Sequence, residues 1–192
     1  YYEDALQTYQ NLLNLSKGSA APLEPQMLVQ IQLRLAMIQR SMGEFQAAIE
    51  ALETILRQRN TMLDAQVEAA RTYQAWAEAG DPRQFEQAIH GKQAEKGSRR
   101  KVVWGWGTLA SKTQNQEKYS ETFCKSRYNL AFCRYRHALS LPEPQRAKGL
   151  FKAKRDIAWT QVLRRDLGGD LWKAKYDQLL TKIEQELARS NG

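Results

Sequence analysis

Apolar side chains recur along this chain at intervals of three and four residues, the spacing that lines one face of an α-helix. In the first segment, about 1–16, Leu6, Tyr9, Leu12 and Leu13 keep that spacing until Lys17-Gly18-Ser19 ends it, and Pro22 and Pro25 mark a linker. A helix is predicted over 26–42, where Leu28, Ile31, Leu35 and Ile38 stay in step until Gly43. The next, 44–59, carries Phe45, Ala48, Ile49, Leu52, Ile55 and Leu56. A fourth, 62–79, carries Leu63, Val67, Ala70, Tyr73 and Ala77, and Gly80-Asp81-Pro82 stops it. A fifth starts near Arg83 and fades into a predicted flexible loop, Gly91 to Gly97, with Ser98-Arg99-Arg100-Lys101 behind it.

The stretch Val102-Val103-Trp104-Gly105-Trp106-Gly107 admits a short strand. Because Thr108-Leu109-Ala110-Ser111-Lys112 continues as helix, the pattern predicts a short helix with a weak start, its two glycines costing roughly 2 kcal/mol against alanine. A long helix follows over 118–140 until Pro142 and Pro144 break it, and another over 146–167 until Gly168-Gly169. Asp170 is placed to cap the last helix, 170–189. There Trp172, Tyr176, Leu179, Leu180, Ile183 and Leu187 form one apolar stripe. Nine helices with short connections and no convincing strand make an all-α chain.

One phrase returns three times. Tyr2-Glu3-Asp4-Ala5-Leu6, Phe45-Gln46-Ala47-Ala48-Ile49 and Phe85-Glu86-Gln87-Ala88-Ile89 all read aromatic, two further residues, alanine, aliphatic. A degenerate fourth copy is Tyr119-Ser120-Glu121-Thr122-Phe123. Small alanines let a neighbouring helix approach while the aromatic wedges the pair, so Ala5, Ala48 and Ala88 are expected at helix contacts. The alanines are 43 and 40 residues apart, an irregular period within the range of helical-repeat arrays.

On these residues the chain resembles the tetratricopeptide repeat family, whose unit is a 34-residue pair of antiparallel helices. The best copy is Val29–Met62: Leu35-Ala36 matches the large-small pair of helix A, Gly43-Glu44-Phe45 the turn, and Ala48 and Leu52 helix B, with Asn60 where the family places proline. In the next copy Ala69-Ala70, Tyr73, Gly80, Phe85 and Ala88 match, with about six residues inserted between the helices. The opening segment is similar to helix B of a truncated copy. Farther on, Trp106, Leu109, Ala110 and Tyr119 fall at family spacing, and Leu130-Ala131 offers a rival large-small pair. The resemblance is carried by 1–90 and thins over 98–167.

The resemblance implies a right-handed array of antiparallel helical hairpins, a TPR-like α-solenoid, closed by the C-terminal capping helix 170–189. It divides the chain into hairpins over 1–97 and degenerate hairpins plus the cap over 98–192, in one continuous array. Since the chain opens inside a helical pattern, a piece of a longer protein is expected. The family's concave groove usually holds a peptide or helix. Carried over onto Val29–Met62, its groove positions are Gln30, Leu33, Met37 and Arg40, and onto the next copy Asp64, Val67, Arg71 and Gln74. With Leu130-Ala131 setting the third register, Lys125, Tyr128, Phe132, Tyr135 and Arg136 follow. The lysine and asparagine with which some members clamp a C-terminal carboxylate are Leu33 and Met37 here, which argues against that mode.

Charge sharpens the choice of partner. Residues 1–90 carry a net −4 and residues 91–192 a net +12. That asymmetry favours an acidic partner: a protein or peptide segment first, with a nucleic-acid-binding helical repeat as the alternative and a purely structural domain as a third reading. No run of apolar residues is long enough to span a membrane, and two cysteines fit a reducing compartment.

Candidate chemistry adds little. His90 and His137 are 47 residues apart, and Cys124 and Cys133, nine apart, fall on opposite faces of a helix. Only Cys133 and His137 share a face, and no orienting carboxylate follows at helical spacing. Gly105 and Gly107 lack the lysine and hydroxyl of a phosphate loop. No metal, cofactor or catalytic residue is expected, and the chain reads as a non-enzymatic interaction module. Trp76, Trp159 and Trp172 are expected in the core. Of Trp104 and Trp106, one ring should seal the hairpin below and the other cap it, although beside Arg99-Arg100-Lys101 the pair could stack bases or hold an acidic peptide.

Overall fold

The computed structural model describes residues 2–18, 23–94 and 100–190. Helices α1 (Tyr2–Gly18), α2 (Pro25–Ser41), α3 (Phe45–Gln58), α4 (Leu63–Glu78) and α5 (Gln84–His90) follow the predicted periodicity to within two residues. Two short strands, β1 (Gly91–Gln93) and β2 (Lys101–Trp104), come next, then α6 (Trp106–Thr113) and a 3-10 turn over Glu117–Tyr119. α7 (Ser120–Leu139), α8 (Gln145–Leu163) and α9 (Asp170–Ser190) complete an all-helical architecture. No described helix is long and apolar enough to cross a membrane.

Each of α1 to α4 packs on the helix that follows it; α7 packs on α5, α6 and α8, and α9 lies against α8 and α7. Two cores result. The larger runs from Val29 on α2 to Leu130 and Cys133 on α7. The smaller joins Ala131 and Ala138 of α7 with Leu150 and Ile157 of α8 and Tyr176 and Ile183 of α9. α7 is thus the shared wall. Its buried Arg127 donates from Nε to Thr160 Oγ1 at 2.9 Å and from Nη2 to the Asp156 carbonyl at 2.9 Å, tying α7 to α8.

Five expectations change. Gly91–Gln93 is a strand rather than the start of a loop, and Lys101–Trp104 is its antiparallel partner rather than the start of a helix. Branched Val102 and Val103 favour extended backbone, and both are buried. Fully buried Gln66 on α4 holds the strand: its Nε2 donates to the carbonyls of Val102 (3.1 Å) and Asn60 (2.8 Å), and its Oε1 accepts the Trp104 N–H at 2.6 Å. A Cβ on Gly105 would meet the Gly91 nitrogen at 2.4 Å, so the two glycines allow a backbone approach that no side chain would permit. The predicted loop's residues 95–99, and with them the 97/98 boundary, lie outside the described residues.

α8 ends at Leu163 instead of 167, because the chain must leave the helix to turn Leu167 (φ 54°) back into the smaller core, where it is buried. Trp159 is 55% exposed, not core: α8 turns Ala153, Ile157 and Thr160 inward and Trp159 outward. Ala48 and Ala88 are fully buried, whereas Ala5 is half-buried, since α1 packs chiefly on α2 alone. In α9, Tyr176, Leu179, Ile183 and Leu187 are buried, with Trp172 and Leu180 half-buried at the margin.

Candidate functional site

One face each of α2, α4 and α7 lines an open groove of about 350 Å³. Six of the positions carried over from the repeat register meet there: Gln30, Leu33 and Met37 from α2, Asp64 and Val67 from α4, and Lys125 from α7. The i, i+3, i+4, i+7 spacing puts each set on one helix face. Leu33 is buried, and Met37, Leu63 and Val67 are half-buried, so the floor is apolar. The rim carries both signs of charge, with Arg34, Asp64 and Glu121 all exposed.

Glu68, which the register did not single out, is the charged residue of the floor. Its carboxylate accepts from Arg40 Nε at 2.5 Å and lies 3.6 Å from an Arg71 guanidinium nitrogen. The Glu68 side chain is only 5% exposed, against 19% for Arg40 and 37% for Arg71. Across the groove the Lys125 ammonium feels the same cluster. Burial lowers its pKa first, Arg71 and Arg40 push the same way, and Glu68 and Glu121 oppose them. Arg40 and Arg71 thus meet on one buried carboxylate, whose charge Lys125 also feels.

The other predicted positions do different work. Gln74 is occupied within the fold: its Oε1 accepts from Trp106 Nε1 at 2.9 Å and lies 3.4 Å from Cys133 Sγ. Trp106 is accordingly sealed in the core, while Trp104 is half-buried with the Lys112 ammonium 5.8 Å from its ring centroid. Tyr135, expected in the groove, is buried in the smaller core, because its place on α7 faces α9. Tyr128 stacks on Phe132 at 6.2 Å and meets Tyr176 edge-on at 5.4 Å and Trp172 at 5.6 Å. Exposed Arg136 lies 5.9 Å from the Phe132 ring. Tyr128, Phe132 and Arg136 therefore form an aromatic shelf running from α7 toward α9, separate from the lining of the groove.

The residues weighed for chemistry are placed as follows. Cys124 and Cys133 are both free and buried. Burial holds the Cys133 thiol well above its ordinary pKa, with Glu78 acting in the same direction, which keeps the sulfur protonated and a poor nucleophile. Among the described residues no three His, Cys, Asp or Glu side chains gather as metal ligands. No family model, curated protein or solved structure matches the chain.

Proposed function

We propose that this chain is a non-enzymatic interaction module, a TPR-like array of helical hairpins capped by α9, whose α2/α4/α7 groove takes up a peptide or helix bearing both acidic and apolar side chains. The observation that carries the reading is the make-up of the groove: an apolar floor of Leu33, Met37 and Val67, and a rim of both charge signs, with Lys125 beside the buried Glu68 cluster. Peptide sites combine an apolar centre with a polar rim in this way. A nucleic-acid track would call for a uniformly basic surface with exposed rings to stack on. The aromatic shelf has the rings, but Tyr128 packs them against Tyr176 and Trp172. The succession of helices packing on their neighbours, and the repeated aromatic-x-x-Ala phrase, support the array.

The test selects displayed random peptides on the full chain. Enriched sequences should combine Asp or Glu with Leu or Phe. The double variant Arg34→Glu/Lys125→Glu should weaken them by about tenfold or more, since it inverts both rim cations. Affinity should change less than about tenfold between about 50 and 200 mM salt, because apolar contacts carry it. A short single-stranded RNA that outcompetes every selected peptide and loses about 10³–10⁵ in affinity over that range would overturn the proposal.

A further inference from the structure

The two histidines of the chain, 47 residues apart in sequence, line one cavity. It lies among α5, α7 and α8, has a volume of about 460 Å³, and is walled by His90 and Glu86 from α5 and by Arg134 and His137 from α7. From α8 come Lys148, Lys152 and Arg155, at the i, i+4, i+7 spacing that puts all three on one face. Ile89, Ala138 and Leu141 make the apolar part of the wall. The close approach of α7 and α8 depends on Gly149, where a Cβ would stand 2.7 Å from the Ala138 Cβ.

Four permanent cations face this space: Arg134, Lys148, Lys152 and Arg155. Arg134 is paired with Asp156 at 2.5 Å. Lys148, Lys152 and Arg155 form no ion pair with any described carboxylate, and Glu86 is the one acidic residue of the lining. The field inside is therefore positive, and His90 registers it. Burial lowers its pKa first, Arg134, Lys101 and Lys152 lower it further, and Glu86 alone opposes them.

We infer that this cavity is a binding site for a small molecule carrying a run of phosphate groups. Its volume falls within the range of small-ligand sites. Its cations come from two helices, exposed Lys148, Lys152 and Arg155 on α8 and half-buried Arg134 on α7, so one molecule lying in the cavity can meet several of them at once. Both imidazoles offer further donors. The site is independent of the peptide groove. At about 100° per residue, Arg134 and His137 stand about 180° and about 120° around α7 from Lys125 of the groove.

The test titrates the full chain calorimetrically with inorganic tripolyphosphate and with ATP at about 150 mM salt. Saturable one-to-one binding of either probe is expected. Lys152→Glu, an exposed position, should weaken it about tenfold or more. Lys182→Glu, equally exposed on α9 but outside the cavity, should change it less than about twofold. Tighter binding of ATP than of tripolyphosphate would add a base seated on Ile89 and Leu141; equal binding would assign the phosphate run alone. Unchanged melting of both variants separates loss of the site from loss of the fold. The inference fails if neither probe binds, or if Lys182→Glu weakens binding as much as Lys152→Glu, which is the signature of diffuse attraction to a basic chain.

Discussion

Removing the carboxylate from the floor of the groove, by Glu68→Gln, leaves Arg40, Arg71 and Lys125 facing one another across a partly desolvated space. An exposed ion pair contributes about 0–1 kcal/mol, whereas breaking a buried one costs about 3–5 kcal/mol. The Arg71 contact belongs to the first class, since that guanidinium is 37% exposed and 3.6 Å away. The Arg40 contact, at 2.5 Å and with side chains 19% and 5% exposed, lies between the two, so a loss of about 2 kcal/mol is expected. In a domain of this size that lowers Tm by about 4–8 °C. A double-mutant cycle with Arg40→Met, which keeps the aliphatic stem, isolates the pair. Chemical denaturation of the four proteins should give a coupling of about 1–2 kcal/mol, against about 0.5 kcal/mol or less for the exposed Lys154–Glu184 pair, whose atoms are 2.7 Å apart. Additive losses would refute the reasoning: Glu68 would then be a buried charge that its neighbours do not stabilise. The same variant should tighten binding of the selected acidic peptides, because it removes the negative charge at the floor.

Two further outcomes follow from other hydrogen-bonded positions. Gln66→Met keeps the shape of the side chain while orphaning the Trp104 N–H and the Val102 carbonyl; at about 1–3 kcal/mol for each unpaired buried group it should cost about 2–6 kcal/mol, and the Trp104 amide should lose its hydrogen-exchange protection ahead of the α4 amides. The Arg83 side-chain hydrogen bond, with that of Gln84, depresses the Asp81 pKa from 3.8 to about 2, so its stabilising effect is complete above the unfolded value and is lost as pH falls from about 4 toward 2; a carboxyl-carbon NMR titration should find Asp81 there, and Arg83→Ala should return it toward its ordinary value.

What could be read from the sequence was what local spacing encodes. α1 to α5 were legible because their apolar residues repeat at 3.6-residue spacing and, for all but α3, a glycine stands at or just past the end, and α9 because its stripe has no competing reading. The strand pair was hidden for a physical reason. β1 is Gly-Lys-Gln, with no apolar alternation, and β2 is only Lys-Val-Val-Trp, with Gly105 directly after it. Their pairing depends on Gln66, tens of residues upstream, donating and accepting along the β2 backbone. No window short enough to show periodicity contains both partners. The early end of α8 has the same origin, since Leu167 leaves the helix to reach a core formed by α7 and α9.

The groove was more legible than the strands, because helical spacing alone puts Gln30, Leu33 and Met37 on one face of α2 and Asp64 and Val67 on one face of α4. In the fold those two faces line one groove with Lys125 of α7. Helical spacing says nothing about which positions the fold uses for itself: Gln74 and Tyr135 are taken up inside it, while Glu68, outside the expected set, is the charged residue of the floor. The signal for Glu68 was present: a lone carboxylate in the run Ala65, Ala69 and Ala70, all of them buried, is an acid on a buried face, and it requires a cation from a neighbouring helix. The histidines make the complementary case. As a pair separated by 47 residues they suggested no chemistry, yet α5 and α7 carry them to one cavity, and the cations that give it a sign come from α8, whose charges resemble any solvated helical face. α7 connects the two results. With both cores closing on its flanks, its remaining surfaces are left to the mixed-charge groove on one side and the basic cavity on the other. Of the basic residues of the second half, Arg136 lies on the aromatic shelf, Lys125 on the groove, and Arg134, Lys148, Lys152 and Arg155 on the cavity.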